Sequence, residues 1–466
     1  MSKPWAVVLA AGEGTRMKSS TPKVLHNICG QAMVNYVIKA ASPLVDKQII
    51  VVGYGGDLVQ RALGENFFYA WQKQQLGTGH ALSQCLPFLP SQGETLVLCG
   101  DTPLLRSETL QRLVQQKSGQ DGVILTAEPV DPTGYGRIIR DDAGNVLKIV
   151  EEKDADPSEK RVHEINAGSY IFSNEVLHEF VPLLGNLNAK GEYYLTDLIH
   201  LLVGKGHKVS TCILSDFEEA RGVNDRLQLA AASRAIRIRI NEKLMKEGVT
   251  MVDPDTTYID QGVSIGADTI VYPQTIIEGE STVGKNCVLG PSTHLKDAAL
   301  ADGVTCRASV MLESSAGEGA LIGPYSYLRP GTKIGPGVKI GDFVEIKNSS
   351  IGEKAKIPHL SYVGDASVEA EVNLGAGTIV VNFDGKAKHK TVIEEGAFVG
   401  CNSNLIAPLK IGKKAFIAAG STVTRDVPSK ALFLARPPET IKEGMAIRFL
   451  GNKEEKQKEK KQEKER

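Results

Sequence analysis

The sequence predicts an α/β protein with three parts: an N-terminal Rossmann-like domain, a linker helix, and a C-terminal left-handed parallel β-helix of hexapeptide repeats. Three observations predict it. Over residues 1–225, short apolar runs alternate with helix-length stretches, which implies a mostly parallel sheet covered on both faces. Arg226–Glu247 then runs without Gly or Pro, preceded by the capping pair Asn224-Asp225 and ended by Gly248. Beyond Asp253, aliphatic residues recur every six positions. That period suits neither an amphipathic helix nor an alternating strand, but fits coils built from three short strands and their turns.

The first part justifies strands at Ala6–Leu9, Gln48–Val52, Thr95–Cys99, Val123–Ala127 and Gly168–Phe172, with helices such as Met33–Ala41 and Ser107–Gln116 between them. The expected linker helix, 226–248, is about 30 Å long, enough to separate two domains. In the repeat region, 249–452, Ile259, Ile265, Val271, Ile277, Val283, Leu289 and Leu295 stand six apart. The phase is read as resuming at Val304, Val310, Ala316, Ile322, Leu328, Ile334, Ile340 and Ile346, then at Ile351, Ile357 and Val363. Leu374 and Val380 follow, an insertion Val381–Val392 interrupts, and Ile393, Val399, Leu405, Ile411, Ile417 and Val423 complete the array. Glycine often follows the aliphatic, as at Gly266, Gly335, Gly352, Gly400 and Gly412, where it is expected to serve turns. The tail 453–466 holds only Lys, Glu, Gln and Arg and reads as a solvated, disordered end.

Composition excludes several classes. Lys+Arg 54 against Asp+Glu 55 leaves a net charge of -1, so a dominant nucleic-acid-binding surface is not expected. No apolar run is long enough for a membrane span, and the N-terminus lacks the basic start of a signal peptide. Seven scattered cysteines with no C-x-x-C pair argue against disulfides and structural zinc, and for a cytoplasmic protein. The abundance of glycine (47 residues) beside 6% aromatics fits a narrow repeat interior and many tight backbone approaches.

The chemistry of the first part begins at Leu9-Ala10-Ala11-Gly12-Glu13-Gly14-Thr15-Arg16-Met17 and Pro22-Lys23, a strand entering a glycine loop with two cations. It matches neither G-x-G-x-x-G nor a Walker loop, yet glycines that free backbone N–H groups beside fixed positive charge suit a phosphate. Gly100-Asp101 ends another strand, where open α/β sheets place ligand groups. Together with Gln75-Leu76-Gly77-Thr78-Gly79, these residues resemble the sugar-1-phosphate nucleotidyltransferase family over roughly residues 5–225. Gln72, Gly134-Tyr135-Gly136-Arg137, Val150-Glu151-Glu152-Lys153, Glu164-Ile165-Asn166-Ala167-Gly168 and Gly222-Val223-Asn224 narrow the resemblance to bacterial UDP-N-acetylglucosamine pyrophosphorylases.

That resemblance implies uracil recognition by Gln72, Gly77 and Thr78, and amino-sugar binding by Gly136, Glu151 and Asn166. It places the nucleotide also against Leu9, Ala10, Ala11, Gly12, Cys99 and Gly100, and implies Mg²⁺ on Asp101 and Asn224. Arg16 and Lys23 would spread the charge that develops as the sugar phosphate attacks the α-phosphorus of UTP. Cys99 departs from the family, which often has Tyr there.

In the repeats, Tyr327-Leu328-Arg329-Pro330-Gly331, Glu345-Ile346-Lys347-Asn348, the run His359–Ala366, Asn373–Thr378 and the inserted Asn382–Lys388 come in succession. This set resembles the acetyltransferase half of the family of bifunctional N-acetylglucosamine-1-phosphate uridyltransferases / glucosamine-1-phosphate N-acetyltransferases, and the two halves stand here in that family's order. The resemblance implies His359 as general base toward the sugar amine, with acetyl-CoA as donor. Arg329, Lys347 and Lys388 would hold the sugar phosphate, and Tyr362 and Asn373 the sugar. Ala376, Asn382, Phe383, Cys401, Ala419 and Arg436 would line the acetyl-CoA site. Phe383 stands where Tyr is usual and Cys401 where Ser is usual, the latter a weaker donor or simply a small apolar filler. The family trimerises with acetyl sites between subunits, so a homotrimer is implied. Its small-molecule substrates would be glucosamine-1-phosphate, N-acetylglucosamine-1-phosphate, UTP and acetyl-CoA. Two other readings compete: a single-activity sugar-1-phosphate nucleotidyltransferase whose β-helix is structural or regulatory, and a nucleotide-sensing scaffold.

Overall fold

The computed structural model describes residues 3–451 together with 457, 458 and 464, so most of the charged tail 453–466 lies outside the described residues. The chain forms two compact units, Met1–Asp297 and Ala298–Arg466.

The first unit is organised by a nine-stranded mixed sheet. Its main path runs Val209–Ile213, Gly122–Ala127, Ile165–Ser173, Glu94–Cys99, Trp5–Ala10, Gln48–Val52, Phe68–Trp71. All neighbours on this path are parallel except those of Ile165–Ser173, which is antiparallel to both of its own. Alternation along the central strand sends Ala6, Val8 and Ala10 to one apolar cluster and Val7 to the other. Val34, Val37, Leu110 and Leu113 cover the first face, and Leu82, Leu177, Phe180, Leu198 and Leu202 the second. Each fully buried aliphatic here contributes about 1.5–3 kcal/mol. All five expected strands exist. Phe68–Trp71, Arg137–Arg140, Val146–Val150 and Val209–Ile213 were not legible as strands, being short or carrying charged or half-buried residues.

The chain leaves Trp5–Ala10 toward Gln48–Val52 on one side and returns at Glu94–Cys99 on the other. The order therefore reverses at Trp5–Ala10, and the crevice beyond its carboxyl end is where such sheets bind ligands. The linker helix is Arg226–Lys246, capped by the Asp225 carboxylate, which accepts from the Gln228 N–H at 2.8 Å. The same unit contains the first hexads, where Ile259, Val271, Ile277 and Leu289 are buried.

The second unit continues the hexad pattern as a parallel β-helix. Interior aliphatics stack one coil on the next: Ile322 on Ile340, Ile340 on Ile357, Ile346 on Val363 and Leu374 on Val399. The phase expected at Val304 and Val310 is corrected. The interior strand positions are Leu300, Cys306 and Met311, while Val310 is only half-buried. Five-residue steps there hide the period from a strict count of six. A second buried register lies two residues before each interior aliphatic, filled by small residues such as Ser326, Thr332, Ala355, Ser361, Thr378 and Ser403. Their hydroxyls bond to backbone carbonyls at the corners, as Thr378 does to Gly375 O at 2.7 Å. The glycines after the aliphatic also act differently from expectation. A Cβ on Gly335 or Gly352 would crowd the backbone of the following coil, whereas left-handed turn positions are held by residues such as Lys354, Glu371 and Lys414. Close approach of coils, not turn conformation, demands glycine there.

Candidate functional site

The first site forms where the order of strands reverses. A cavity of roughly 270 Å³ is lined by Leu9, Ala10, Ala11, Gly12, Lys23, Gln72, Gln75, Gly77, Thr78, Cys99, Asp101 and Glu192. The Gly100 N–H donates to Leu9 O at 2.9 Å, which holds the two loops together. Lys23 Nζ lies 2.5 Å from Asp101 Oδ2 and 3.2 Å from Asn224 Oδ1. The Val223 N–H donates to Asp101 O at 2.8 Å, bringing the segment before the linker helix onto the strand end. A carboxylate and an amide oxygen thus converge on one positive charge. Two hard oxygens with room for phosphate oxygens are a donor set that fits Mg²⁺.

Gln72 is buried, and its Nε2 donates to Gly77 O at 2.9 Å and meets His80 Nδ1 at 3.0 Å, so its orientation is set from within the protein. Thr78 Oγ1 accepts from the Leu195 N–H at 3.0 Å. Burial, and secondarily the Asp101 carboxylate, push the Cys99 thiol up to about 12; its Sγ lies 3.2 Å from Gly168 O. It is a packed wall, not a nucleophile.

Arg16 and Glu151 line a separate cavity of roughly 490 Å³ with Gly134, Glu152, Lys153, Lys190 and Tyr194. Burial raises the Glu151 carboxyl above the usual range, opposed by the Thr196 hydroxyl donating at 3.0 Å. Gly136 and Asn166 line neither cavity. Gly136 O accepts from the Asn166 N–H at 2.9 Å, and Asn166 itself donates to Tyr170 Oη at 2.7 Å. Glu192 and Thr196 were assigned no role from sequence, because they reach the site from a segment without a motif; Gln75 lies in the quoted motif and His80 directly follows it, but a motif does not show which of its side chains turns inward.

The second site lies on the second unit. Arg329 Nη1 is 2.8 Å from Glu345 Oε1. The Lys347 ammonium is held below the usual lysine range, chiefly by the facing Lys388 and also by Arg329, with Asp365 opposing. Two ammonium groups held against each other, with a guanidinium nearby, form a place for an anion. Asp365 accepts from Asn348 at 2.7 Å and from Asn382 at 2.5 Å. Burial works against its charge, but these donors and the two lysines keep its carboxyl below the usual range.

His359 is exposed, and its Nδ1 lies 2.8 Å from Asp342 Oδ1. Gly364 provides the floor: a Cβ there would come 2.5 Å from Tyr362 Oη and 2.6 Å from Asn382 Nδ2. Phe383 and Lys388 pair across the inserted loop. Asn373 sits in register between Lys356 and Phe398. The Asn402 N–H donates to Ala376 O and the Gly420 N–H to exposed Cys401 O, both at 2.8 Å. The Arg436 side chain passes beside Gly420, next to Ala419, and would lie within 4 Å of a Cβ there. Asp342 was assigned no role from sequence; its 17-residue spacing from His359, one coil, is the signal that finds it.

Comparisons with known proteins agree with this division. Residues 6–160 match a MobA-like NTP transferase domain. Residues 317–348 match the bacterial transferase hexapeptide (six repeats), and 390–425 the hexapeptide repeat of succinyl-transferase. Over 457 residues the chain is 50% identical to the "Bifunctional protein GlmU" of Heliobacterium modesticaldum, covering 97% of this chain and 99% of that one. Over 442 residues it is 51% identical to the protein of the same name from Caldanaerobacter subterraneus, covering 94% and 96%. For Halalkalibacterium halodurans the identity is 50% over 447 residues, covering 95% and 98%.

Proposed function

The chain belongs to the GlmU family of bifunctional enzymes, and from that membership we propose how its own residues divide the work. It acetylates glucosamine-1-phosphate with acetyl-CoA, then transfers UMP from UTP to N-acetylglucosamine-1-phosphate, giving UDP-N-acetylglucosamine and pyrophosphate. The partition we propose is a uridyltransferase domain over residues 1–225, a linker helix over 226–248 and an acetyltransferase domain over 249–452.

In uridylyl transfer, Gln72, Gly77 and Thr78 hold the uracil, and the backbone of Leu9–Gly12 with Gly100 borders the nucleotide. Gly136, Glu151 and Asn166 hold the amino sugar. Mg²⁺ on Asp101 and Asn224 would neutralise phosphate charge as pyrophosphate leaves. Lys23 is held beside those oxygens and turns to the phosphates when they enter. Arg16 adds charge from the adjoining cavity.

In acetyl transfer, Arg329, Lys347 and Lys388 grip the sugar phosphate while Tyr362 and Asn373 orient the sugar. His359 takes a proton from the amine as its nitrogen bonds to the acetyl carbon and the C–S bond of acetyl-CoA breaks. Ala376, Asn382, Phe383, Cys401, Ala419 and Arg436 line the path of the coenzyme. A homotrimer is part of the proposal. So is a cytoplasmic location: all seven cysteines are free, and among the described residues no helix is long and apolar enough to cross a membrane.

The observation that carries the two-reaction reading is His359 one coil on from Lys347, whose ammonium faces Lys388 of the inserted loop, a set a purely structural prism does not need. A single-activity nucleotidyltransferase or a sensing scaffold predicts no thiol release. Incubation with glucosamine-1-phosphate, acetyl-CoA, UTP and Mg²⁺, with thiol and pyrophosphate followed separately, tests it. Both should appear, and His359→Ala should lose about 10²–10⁴-fold in thiol release while transferring uridylyl normally to N-acetylglucosamine-1-phosphate. Pyrophosphate without thiol would sink the reading.

A further inference from the structure

We propose that Asp342 is the positioning residue of acetyl transfer: it holds His359 with the proton on Nδ1, leaves Nε2 facing the sugar amine, and stabilises the imidazolium that forms. This rests on the reading of His359 as the base.

The geometry begins in the coil stacking. The strand Lys339–Asp342 lies parallel to Lys356–His359, with Asp342 directly beside His359. The Leu360 N–H donates to Asp342 O at 3.0 Å, so backbone fixes the pair before the side chains meet. Gly341, one residue earlier, permits the close approach, since a Cβ there would overlap the Pro358 carbonyl. The Ser326 hydroxyl donates to Gly341 O at 2.5 Å and the Ser361 hydroxyl to His359 O at 2.8 Å, tying both strands at their ends. On this frame the carboxylate oxygen lies 2.8 Å from His359 Nδ1.

A carboxylate only accepts, so Nδ1 must carry the proton and Nε2 is left with its lone pair. Both side chains are well exposed, 53% for His359 and 39% for Asp342. Solvent screens such a pair, which contributes little to stability, so its fixed geometry has no structural purpose to serve. The other charged groups on the two strands are Lys339 and Lys356, paired with each other near the strand starts, and the strand on the far side presents uncharged Asn373. Asp342 is therefore the one anion in register with the imidazole among these strands.

The experiment is acetyl transfer by the full-length Asp342→Ala and Asp342→Asn variants, followed by thiol release. Asp342→Ala should lose about tenfold to a hundredfold in kcat, with KM for both substrates within about twofold and uridylyl transfer unchanged. Asp342→Asn keeps the shape, but its amide can donate to Nδ1 as well as accept from it, so the proton is no longer fixed there and kcat should stay well below wild type. Full kcat in Asp342→Ala or in Asp342→Asn, or a rise in KM alone, would overturn the proposal. His359→Ala separates the levels. If that variant keeps thiol release, the base reading fails and Asp342 falls with it; if it is inactive while Asp342→Ala is fully active, only the positioning role falls.

Discussion

Lys23, Asp101 and Asn224 meet across separations of 78 and 201 residues, whereas Asp342 meets His359, and Asn348, Asp365 and Asn382 meet in turn, at steps of 17. The proposed uridyltransferase site is drawn from loops at the end of a sheet, each delivered by a different crossover. The proposed acetyltransferase site is one face of a prism read coil by coil. The difference lies in how each fold spends its contacts. A sheet crevice can enclose a substrate with burial on several sides, as at Gln72 and Glu151, while this β-helix presents much of its chemistry on exposed or half-buried side chains such as His359, Tyr362 and Asn373.

The comparison breaks if the sites are not independent. Asp101→Asn keeps the shape and removes the charge that faces Lys23; pyrophosphate release should fall about 10²–10³-fold. Thiol release by the same variant should stay within about twofold, and a parallel fall would show that the halves share a fold-level dependence.

Lys388→Ala should raise KM for glucosamine-1-phosphate about tenfold, the loss of one charge-assisted contact. It also removes the ammonium facing Lys347, so Lys347 should titrate closer to an ordinary lysine by NMR. An unchanged Lys347 would mean the two are not neighbours in solution.

The smallest effect sharpens the contrast in burial. Glu151 has its folded pKa raised by burial, so the folded protein holds more protons than the unfolded one between the two values, and stability falls as pH rises through that window. The cost is absent below the unfolded pKa and fully present above the folded one. Glu151→Gln should therefore raise the first-unit melting temperature on the order of 1–3 °C at pH 7, with less gain near pH 4, while weakening amino-sugar binding. Equal gains at both pH values would show that ionisation is not the cause.

Much of the fold was legible because hydrophobic spacing records which side of a strand faces inward. The central strands of the first unit and the run of interior aliphatics from Ile322 onward follow that logic. The phase failed between Leu295 and Ala316, where three five-residue steps break a count of six and Cys306 and Met311 stand in for Ile. The glycines after the aliphatics were visible, but their purpose was not, since crowding by the next coil is a contact between coils.

The amino-acid order by itself determined the two architectures, the capped start of the linker helix at Asp225 and the motifs that carry both halves of the family resemblance. Those are local or periodic properties, written by side-chain chemistry at fixed spacing. Only the tertiary structure decided that Lys23 bridges Asp101 and Asn224, that Arg16 and Glu151 share a cavity apart from the nucleotide loops, and that Asp342 stands beside His359. Each of these depends on which backbone segments are brought within about 3 Å. Spacing along the chain does not state that until strand order and coil register are fixed.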